Sequence, residues 1–256
     1  MYAEERQQAI ANQVRQNGRA SVTALASLFD VTSETVRRDL AVLERNGHLQ
    51  RVHGGAVRPG ATPVVGEQGI DERLLSHTAQ KLAIGRAATR FLPPDGGSVF
   101  IDAGTTTYQA ALALPRDRRL TVVTHSIPVA GALAAQGADD LHVLGGRVRG
   151  LTQATVGADA VAALERLRIT TAFVGTNGIS VAHGLSTPDP DEAAIKSAIV
   201  RVANRVVVLA DSSKTGHEDL ASFAGLEDID VLITDTGIEP AFAAILADHG
   251  IETVIA

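Results

Sequence analysis

Residues 98–255 alternate between short, continuously apolar runs and stretches in which apolar residues recur at helical spacing. The strand-like runs read SVFID, LTVVT, LHVLG, TAFVG, RVVVLA, VLIT and ETVIA. The helix-like stretches between them read YQAALAL, IPVAGALAAQ, DAVAALERL, DEAAIKSAIVRVAN and EPAFAAILADHG. Strands that are apolar at successive positions are buried on both faces, and alternation of β and α predicts a parallel sheet covered by helices. The pattern therefore predicts an α/β fold that is doubly wound and mostly parallel.

Polar or glycine-rich segments follow five consecutive predicted strands. They read IDAGTTT, THS, GGRVRG, GTNG and DSSK. In doubly wound sheets, ligands bind beyond the carboxyl ends of the strands, so these segments are candidates for one shared site. Turn chemistry alone also places Gly and Asp after strands, so a single segment of this kind would indicate little.

The segment DAGTTT has the residue types of a phosphate loop. Gly104 lets the backbone approach an anion, while Thr105, Thr106 and Thr107 offer hydroxyls beside the amides of a starting helix. Asp102 would repel a phosphate and suits a ligand hydroxyl, such as that of a sugar. Thr105 as a simple N-cap of the following helix is the alternative, and it is compatible with phosphate binding.

Residues 59–256 contain only three lysines, Lys81, Lys196 and Lys214, beside twelve arginines. Lysine provides a compact point charge where one is needed. Lys196 follows Glu192 by four residues in a predicted helix. The two either form an i,i+4 ion pair or both reach the crevice at the strand ends.

The first 58 residues differ in charge from the rest of the chain. They hold eight Arg, no Lys and six acidic residues, a formal charge of +2, whereas residues 59–256 carry −8 and the whole chain −6. The stretches EERQQAIANQVRQN, VTALASLFD and SETVRRDLAVLERNG show helical spacing with a three-residue break before the last. This arrangement predicts a helix-turn-helix, and the charge asymmetry indicates two modules with different partners.

The third predicted helix begins with side chains suited to the major groove of DNA. The candidates on or beside its outward face are Ser33, Thr35, Arg37 and Arg38. The segment HLQRVHGGAV after this helix predicts a hairpin wing that places Arg51 and His53 near phosphates or the minor groove. A surface module with solvated arginines is the alternative.

Both parts of the chain resemble the DeoR family of bacterial transcription regulators. VTSETVRRDLAVLERNGHLQRVHGGA is similar to the winged helix-turn-helix of that family, and DAGTTT, GTNGIS, GLSTPDPDEAAIKSAIV and VVVLADSSKTG are similar to its effector-sensing domain. That domain is related to ribose-phosphate isomerases and glucosamine-phosphate deaminases and senses phosphorylated sugars. The resemblance implies a DNA-binding domain at 1–57, a linker at 58–72 and an effector domain at 73–256.

The resemblance also implies the site and the partners. The implied effector contacts are Asp102, Gly104, Thr105, Thr106, Thr107, Asn177, Gly178, Glu192, Lys196 and Lys214. The partners are operator DNA, a phosphorylated sugar and further copies of the chain in a dimer or tetramer. No cofactor, metal ion, catalytic residue or membrane is expected.

Within the family, MYAEER, VRRDLAVLE and GGRVRGLTQATVG look most like the fructose-utilisation repressors of high-GC Gram-positive bacteria. Fructose 1-phosphate is the effector expected first and fructose 1,6-bisphosphate the second. The VRG at 148–150 departs from the family, because many relatives carry an aromatic residue there.

Composition bears on the alternative functions. The chain has no cysteine, which excludes disulfides and a thiol nucleophile, and its apolar runs are too short to span a bilayer. The start lacks a secretory pattern, so we expect a cytoplasmic protein. An isomerase or deaminase would need a positioned base from Asp102, His125, His183 or Glu192, and no acid–base pair is recognisable. We expect a repressor, with an isomerase-like enzyme, a regulator of another sugar phosphate and a binding module without DNA binding as alternatives.

Overall fold

The structure, a computed structural model, describes residues 3–17, 19–29, 31–52, 55–57, 67 and 69–256. The chain divides into two compact units, Met1–Glu67 (the N-terminal unit) and Gln68–Ala256 (the C-terminal unit). The α-helices of the described residues are α1 (Ala3–Asn17), α2 (Val22–Phe29), α3 (Ser33–Arg45), α4 (Ile70–Leu75), α5 (Thr78–Ala88), α6 (Thr105–Leu112), α7 (Ile127–Ala135), α8 (Ala158–Leu164), α9 (Pro190–Val202) and α10 (Pro240–Asp248). The strands are β1 (Arg19–Ser21), β2 (Gln50–Val52), β3 (Gly55–Val57), β4 (Ser98–Ile101), β5 (Thr121–Thr124), β6 (Leu141–Val143), β7 (Arg147–Arg149), β8 (Ala154–Val156), β9 (Thr171–Gly175), β10 (Gly178–Ser180), β11 (Gly184–Thr187), β12 (Val206–Leu209), β13 (Ala221–Ala224), β14 (Val231–Thr234) and β15 (Glu252–Ile255). Short 3₁₀ helices lie at Thr89–Phe91, Ser212–Lys214 and Leu226–Asp228.

The N-terminal unit is a winged helix-turn-helix, as predicted. Its described strands form an antiparallel sheet in the order β1-β3-β2, and the β2–β3 pair is the wing. The apolar stripe of α3 faces a small core with α1 and α2, because Val36, Leu40 and Leu43 recur at i, i+4 and i+7. This packing leaves the opposite face of α3 exposed.

A buried ion pair fixes α3 against α1. The Asp39 carboxylate accepts hydrogen bonds from Arg6 Nε at 2.6 Å and Gln7 Nε2 at 2.8 Å. At the start of α3, Thr32 is the N-cap and accepts the Thr35 amide at 3.2 Å. The acidic residue within the VRRDL motif therefore supports the helix from inside, while the adjacent arginines remain on the outside.

Within residues 69–256, seven strands form one parallel sheet in the order β15-β14-β12-β9-β4-β5-β6. Successive strand residues point to opposite faces and enter two separate cores. Val99 and Ile101 pack with α5, α6 and α7, whereas Phe100 packs with α8, α9 and α10. The prediction of a doubly wound, mostly parallel sheet is confirmed.

The strand order reverses between β4 and β9. The chain runs outward from β4 to β5 and β6, then returns to β9 on the other side of β4 and continues to β12, β14 and β15. Loops that leave two neighbouring strands in opposite directions open a crevice at such a switch point. The DAGTTT segment leaves β4 at this position.

Residues 69–256 also form two smaller antiparallel elements, the hairpin β7–β8 and the sheet β10-β11-β13, and both contact α9. Helix α4 begins at Ile70, inside the segment 58–72 that was predicted to be a linker. Half of the residues in this short helix are charged and only Ile70 is buried, so the apolar pattern did not indicate it. Residues 58–66 of the predicted linker lie outside the described part of the chain.

Gly85 allows α5 to cross closely over α6, and its replacement tests this contact. A Cβ atom there would lie 2.6 Å from the carbonyl carbon of Gln109. We expect Gly85→Ala to destabilise the protein by about 1–3 kcal/mol, because α6 backbone cannot move aside cheaply. Calorimetric unfolding checks this.

Gly131 is the matched control, since it lies in exposed helix α7 with open space around its Cβ position. Gly131→Ala should stabilise the protein by up to about 1 kcal/mol through helix propensity. Equal stabilisation by both substitutions would contradict the close crossing.

Candidate functional site

A pocket opens at the switch point, at the carboxyl ends of β4, β9 and β12. We call it the switch-point pocket, and its lining consists of residues 104–107, 175–176 and 209–211 with Arg73, Ser76, Lys81 and Lys214. The predicted residues that line it are Gly104, Thr105, Thr106, Thr107 and Lys214. The structure thus brings the DAGTTT and DSSK segments together, although more than 100 residues separate them.

The amino end of α6 faces this pocket without a side-chain cap. The N-cap is Gly104, which has no side chain to offer, and Thr105 is already the first helical residue. Thr105 is therefore not an N-cap, contrary to the alternative considered from the sequence. The hydroxyls of Thr105 and Thr106 have no hydrogen-bond partner among the described residues, although both side chains are largely buried. Free amides and hydroxyls at a helix amino end attract an anion.

Thr107 has a different role from its two neighbours. Its hydroxyl donates to the carbonyl oxygens of Asp102 at 2.7 Å and Gly104 at 3.0 Å. The single hydroxyl proton is therefore used inside the loop. Thr107 therefore shapes the loop in this structure, which does not support its hydroxyl as a donor to a ligand.

Three cationic side chains line the pocket around this helix end. Lys214 and Arg73 have no ion-pair or hydrogen-bond partner for their charged groups in the described part of the chain. Burial is the main cause that lowers the pKa of Lys81 to about 8; the charges of Arg73 and Lys214 act in the same direction, and the Asp211 charge opposes them. A dianion bound here would relieve this crowding of positive charge.

Asp102 lies behind the pocket and is fully buried. Its Oδ2 accepts from the Lys196 ammonium and from the Gly175 amide at 2.8 Å. Its Oδ1 lies 2.8 Å from His125 Nε2, and His125 Nδ1 donates to the Thr155 carbonyl at 2.9 Å. In this arrangement both carboxylate oxygens of Asp102 are bonded to protein groups and shielded from solvent, which does not support the predicted contact between Asp102 and a ligand hydroxyl.

The charge on Asp102 is retained despite its burial. Desolvation raises the pKa of this carboxyl, but the Lys196 charge and the His125 hydrogen bond outweigh it and bring the pKa down to about 2. Lys196 also donates to the Gly175 carbonyl at 2.9 Å, so its ammonium joins the ends of β4 and β9 to α9. Asp102 and Lys196, which were both predicted as effector contacts, therefore position the ends of strands and helices in this structure.

Glu192 and Lys196 do not form the i,i+4 pair that one sequence interpretation proposed. Glu192 accepts from Thr152 Oγ1 and from Arg149 Nη1 at 3.3 Å, and it is 4% exposed. This binds the β7–β8 hairpin to the start of α9. Neither Glu192 nor Lys196 lines the switch-point pocket, so direct effector contacts by these two residues are not supported.

The predicted contacts Asn177 and Gly178 also lie outside the pocket lining. A Cβ atom at Gly178 would come within 2.4 Å of the His217 carbonyl oxygen. The glycine is therefore required for close backbone packing. The backbone amide of Asn177 donates to the Ser186 carbonyl at 3.1 Å, and this hydrogen bond lies at the start of the β10–β11 hairpin.

The candidate DNA contacts of α3 lie on its accessible side. Arg37 and Arg38 expose 61% and 80% of their side chains, and Glu34 lies 3.7 and 3.6 Å from their nitrogens. Ser33 and Thr35 are half-buried in the first turn. The remaining candidates are Arg51, which lies in β2 with its side chain outside the described part, and His53, which lies wholly outside it.

The sequence interpretation did not assign Arg73, Ser76 or Lys81 to the site. Arg73 and Ser76 belong to α4 and the turn after it, where apolar periodicity gave no signal. Lys81 stood out only as one of three lysines in residues 59–256.

Two further observations concern metal sites and membrane-spanning helices. No group of three or more histidine or acidic side chains is placed to hold a metal ion in the part of the chain that is described. No helix there is both long and apolar enough to cross a bilayer.

Comparison with known proteins places both units in one family. Residues 6–62 match the DeoR-like helix-turn-helix domain, and residues 76–236 match the DeoR C terminal sensor domain. The chain is 34% identical over 235 residues to the transcriptional regulator FruR of Bacillus subtilis, covering 92% of each protein. It is 32% identical over 255 residues to the transcriptional repressor GlcR of the same organism, covering 100% of this chain and 97% of GlcR.

Among solved structures, the full-length sorbitol operon regulator SorC of Klebsiella pneumoniae aligns over 95% of this chain and 98% of its own, with 12% identity and a TM-score of 0.43. The family assignment stands on the sequence matches, which take in both units in the expected order. The chain belongs to the DeoR family and is a transcriptional regulator rather than an enzyme.

Proposed function

We propose that this regulator represses genes of sugar uptake and catabolism, with fructose as the sugar, and that a phosphorylated sugar bound in the switch-point pocket controls it. Fructose 1-phosphate is the first candidate and fructose 1,6-bisphosphate the second. The observation that carries the proposal is the uncapped amino end of α6, with two unpartnered hydroxyls, facing Lys81 and Lys214. The choice of fructose rests on the resemblance of GGRVRGLTQATVG to the fructose-utilisation repressors.

A phosphate monoester matches this pocket in charge and in donor geometry. At neutral pH it carries about −1.5 to −2 charge and three strong acceptor oxygens. The α6 amides, the Thr105 and Thr106 hydroxyls and the two ammonium groups supply donors on several sides. A neutral sugar would add no negative charge to a pocket in which Lys81, Lys214 and Arg73 outnumber the lining carboxylate of Asp211, so we expect discrimination in favour of the ester.

An isomerase-like reaction finds no support in the same geometry. Asp102 and His125 are fully buried and bonded to each other, and Glu192 is bonded to Thr152 and Arg149. His183 bonds to the Asp219 carbonyl and does not line the pocket. No candidate base therefore reaches a substrate carbon.

DNA binding is assigned to α3 and the wing, with residues 1–57 as the DNA-binding domain and 73–256 as the effector domain. In a homo-oligomer, dimer or tetramer, two such domains would occupy half-sites about one helical turn apart or a multiple of it. The protein would act in the cytoplasm, where operator and metabolite are both present.

Arg38→Ala tests the operator contact. We expect a loss of about 1–3 kcal/mol in operator affinity if Arg38 reads a base, or a salt slope smaller by about 1 if it contacts a phosphate. The measurement is fluorescence anisotropy on DNA from upstream of the protein's own operon at several salt concentrations. Arg90→Ala, at an exposed arginine of the C-terminal unit, is the control and should bind DNA like the parent protein. Equal loss in both variants would refute a specific role of α3.

Lys214→Met tests the anion site. Removing one charged donor should weaken binding of fructose 1-phosphate by about 10- to 150-fold, the equivalent of one charge-assisted hydrogen bond. Isothermal titration calorimetry with fructose, fructose 1-phosphate, fructose 1,6-bisphosphate and glucose 6-phosphate measures this. Arg116→Met removes an exposed charge in the segment before β5, at the amino ends of the strands, and should leave ester affinity unchanged. Binding of plain fructose as tight as that of its esters would refute a phosphate site.

The pKa of Lys81 predicts a pH dependence with a definite sign. The free protein loses this positive charge as the pH rises past about 8, and a bound dianion raises the pKa of the same group. Ester affinity should therefore fall by up to about tenfold per pH unit above pH 8, with uptake of one proton on binding. Calorimetry in buffers of different ionisation enthalpy measures the proton uptake. Lys81→Arg keeps its charge in this range and should abolish the pH dependence; persistence of the slope would contradict the assignment.

A further inference from the structure

Lys81 holds the carboxyl end of α4 and lines the switch-point pocket at the same time. Its ammonium donates to the Arg73 carbonyl oxygen and to Ser76 Oγ at 3.3 Å. The same side chain belongs to the pocket lining beside Thr105 and Lys214. These bonds use two of the three N–H donors of the Lys81 ammonium, so an anion at the amino end of α6 that also binds this ammonium either shares it with α4 or draws it away.

The corner between α4 and α5 is strained. His77 has φ 50° and ψ 37°, the left-handed conformation, which a residue other than glycine seldom adopts. Three side chains hold the corner in place: Ser76 Oγ donates to the Arg73 carbonyl at 3.1 Å, Thr78 Oγ1 donates to the Leu74 carbonyl at 3.2 Å, and Lys81 is the third. Strained backbone persists only where surrounding contacts enforce it, so losing one of these contacts favours a relaxed corner.

Helix α4 has few other anchors. It buries Ile70, whose amide donates to the Leu151 carbonyl at 3.0 Å, whereas Leu75 at its other end is 85% exposed. A short helix with one buried apolar residue has little packing to hold it once its terminal contacts go.

The free volume of the pocket indicates that something must move when a sugar ester enters. The cavity holds about 20 Å³, room for roughly one water molecule, whereas small-molecule sites span about 300–1,000 Å³. Three parts of the chain form its walls. The first is α6 with β9, which Asp102 ties together; the second is the Ser212–Lys214 turn; and the third is the end of α4 with Ser76. The Ser212–Lys214 turn is pinned because Asp235 accepts from the Ser212 amide at 2.8 Å. Of these walls, α4 is therefore the one that is held in place by Lys81, a side chain that is also proposed to bind the ligand.

Resting on the proposed function, we propose that the phosphate group draws the Lys81 ammonium away from Arg73 and Ser76, which frees the α4–α5 corner and opens the pocket. The α4–α5 corner is then the element whose two states have different affinity for the ester, as allosteric control requires.

Hydrogen exchange of the full-length protein, read with calorimetry on the same samples, tests the proposal. The ligands are fructose 1-phosphate, fructose 1,6-bisphosphate, glucose 6-phosphate and inorganic phosphate. With any of these that binds, we expect amides of 105–112 to exchange more slowly and those of 70–78 to exchange about tenfold faster, as after loss of one charge-assisted bond. The β15 amides in 252–255 are the internal control and should not change.

The variants Lys81→Met and Ser76→Ala distinguish the release of α4 by Lys81 from a general destabilisation of the protein. Lys81→Met should exchange rapidly in 70–78 without ligand and show no further increase with it. Ser76→Ala keeps the ammonium and removes one of its two partners, so ligand should still accelerate exchange in 70–78; this variant carries the test if Lys81→Met does not fold.

The outcomes distinguish the two proposals. Slower exchange in 105–112 with unchanged or slower exchange in 70–78 would leave the effector site standing and overturn the release of α4. If calorimetry detects no binding of any of the four ligands, the proposed effector site itself is overturned. The proposed movement of the Lys81 ammonium from α4 to the ligand then fails as well.

Discussion

The buried Asp102 carboxylate is the interaction on which the architecture of the effector site depends. It joins four parts of the C-terminal unit: β4, whose end it occupies, β9 through the Gly175 amide, α9 through Lys196, and the end of β5 through His125. Removing a carboxylate and an ammonium from water is costly, and the cost is offset only when partners of both charges are complete. Asp102 meets that condition, because its low pKa shows that the charged form remains favoured in the buried state.

This completeness divides the polar residues at the sheet edge into two sets. Asp102, His125, Glu192 and Lys196 have their bonding capacity directed inward, so they fix the ends of strands and helices. The charged groups of Lys214 and Arg73 form no hydrogen bond or close ion pair among the described residues, and Lys81 is shared with the end of α4. A parallel sheet collects strand ends at one edge, and the inward set keeps the amino end of α6 accessible there. Anion recognition is left to backbone amides, hydroxyls and the second set.

The sequence predicted the fold well and the site in part. Continuous apolar runs predicted buried parallel strands, because each strand residue enters one of two cores and no face is left for polar side chains. The loop after β4 was chosen as a candidate because it combines a glycine with three hydroxyl residues at a strand end. Spacing along α9 indicated that Glu192 and Lys196 share a face of the helix, but such spacing does not show what lies opposite that face. Arg149 and Asp102 lie opposite them, and both come from distant parts of the chain.

The amino-acid sequence by itself determined the two-unit organisation, the α3 face with Arg37 and Arg38, and the strand-end loops, because periodicity and local residue chemistry act over a few residues. Only the tertiary structure decided which charges are consumed and which remain available. Whether Thr107, Asp102 or Lys196 meets a ligand depends on partners such as Gly175 and His125 that folding brings within hydrogen-bond distance. The place of Lys81 between α4 and α6 is likewise a consequence of packing, since the close crossing at Gly85 sets how near α5 lies to the amino end of α6.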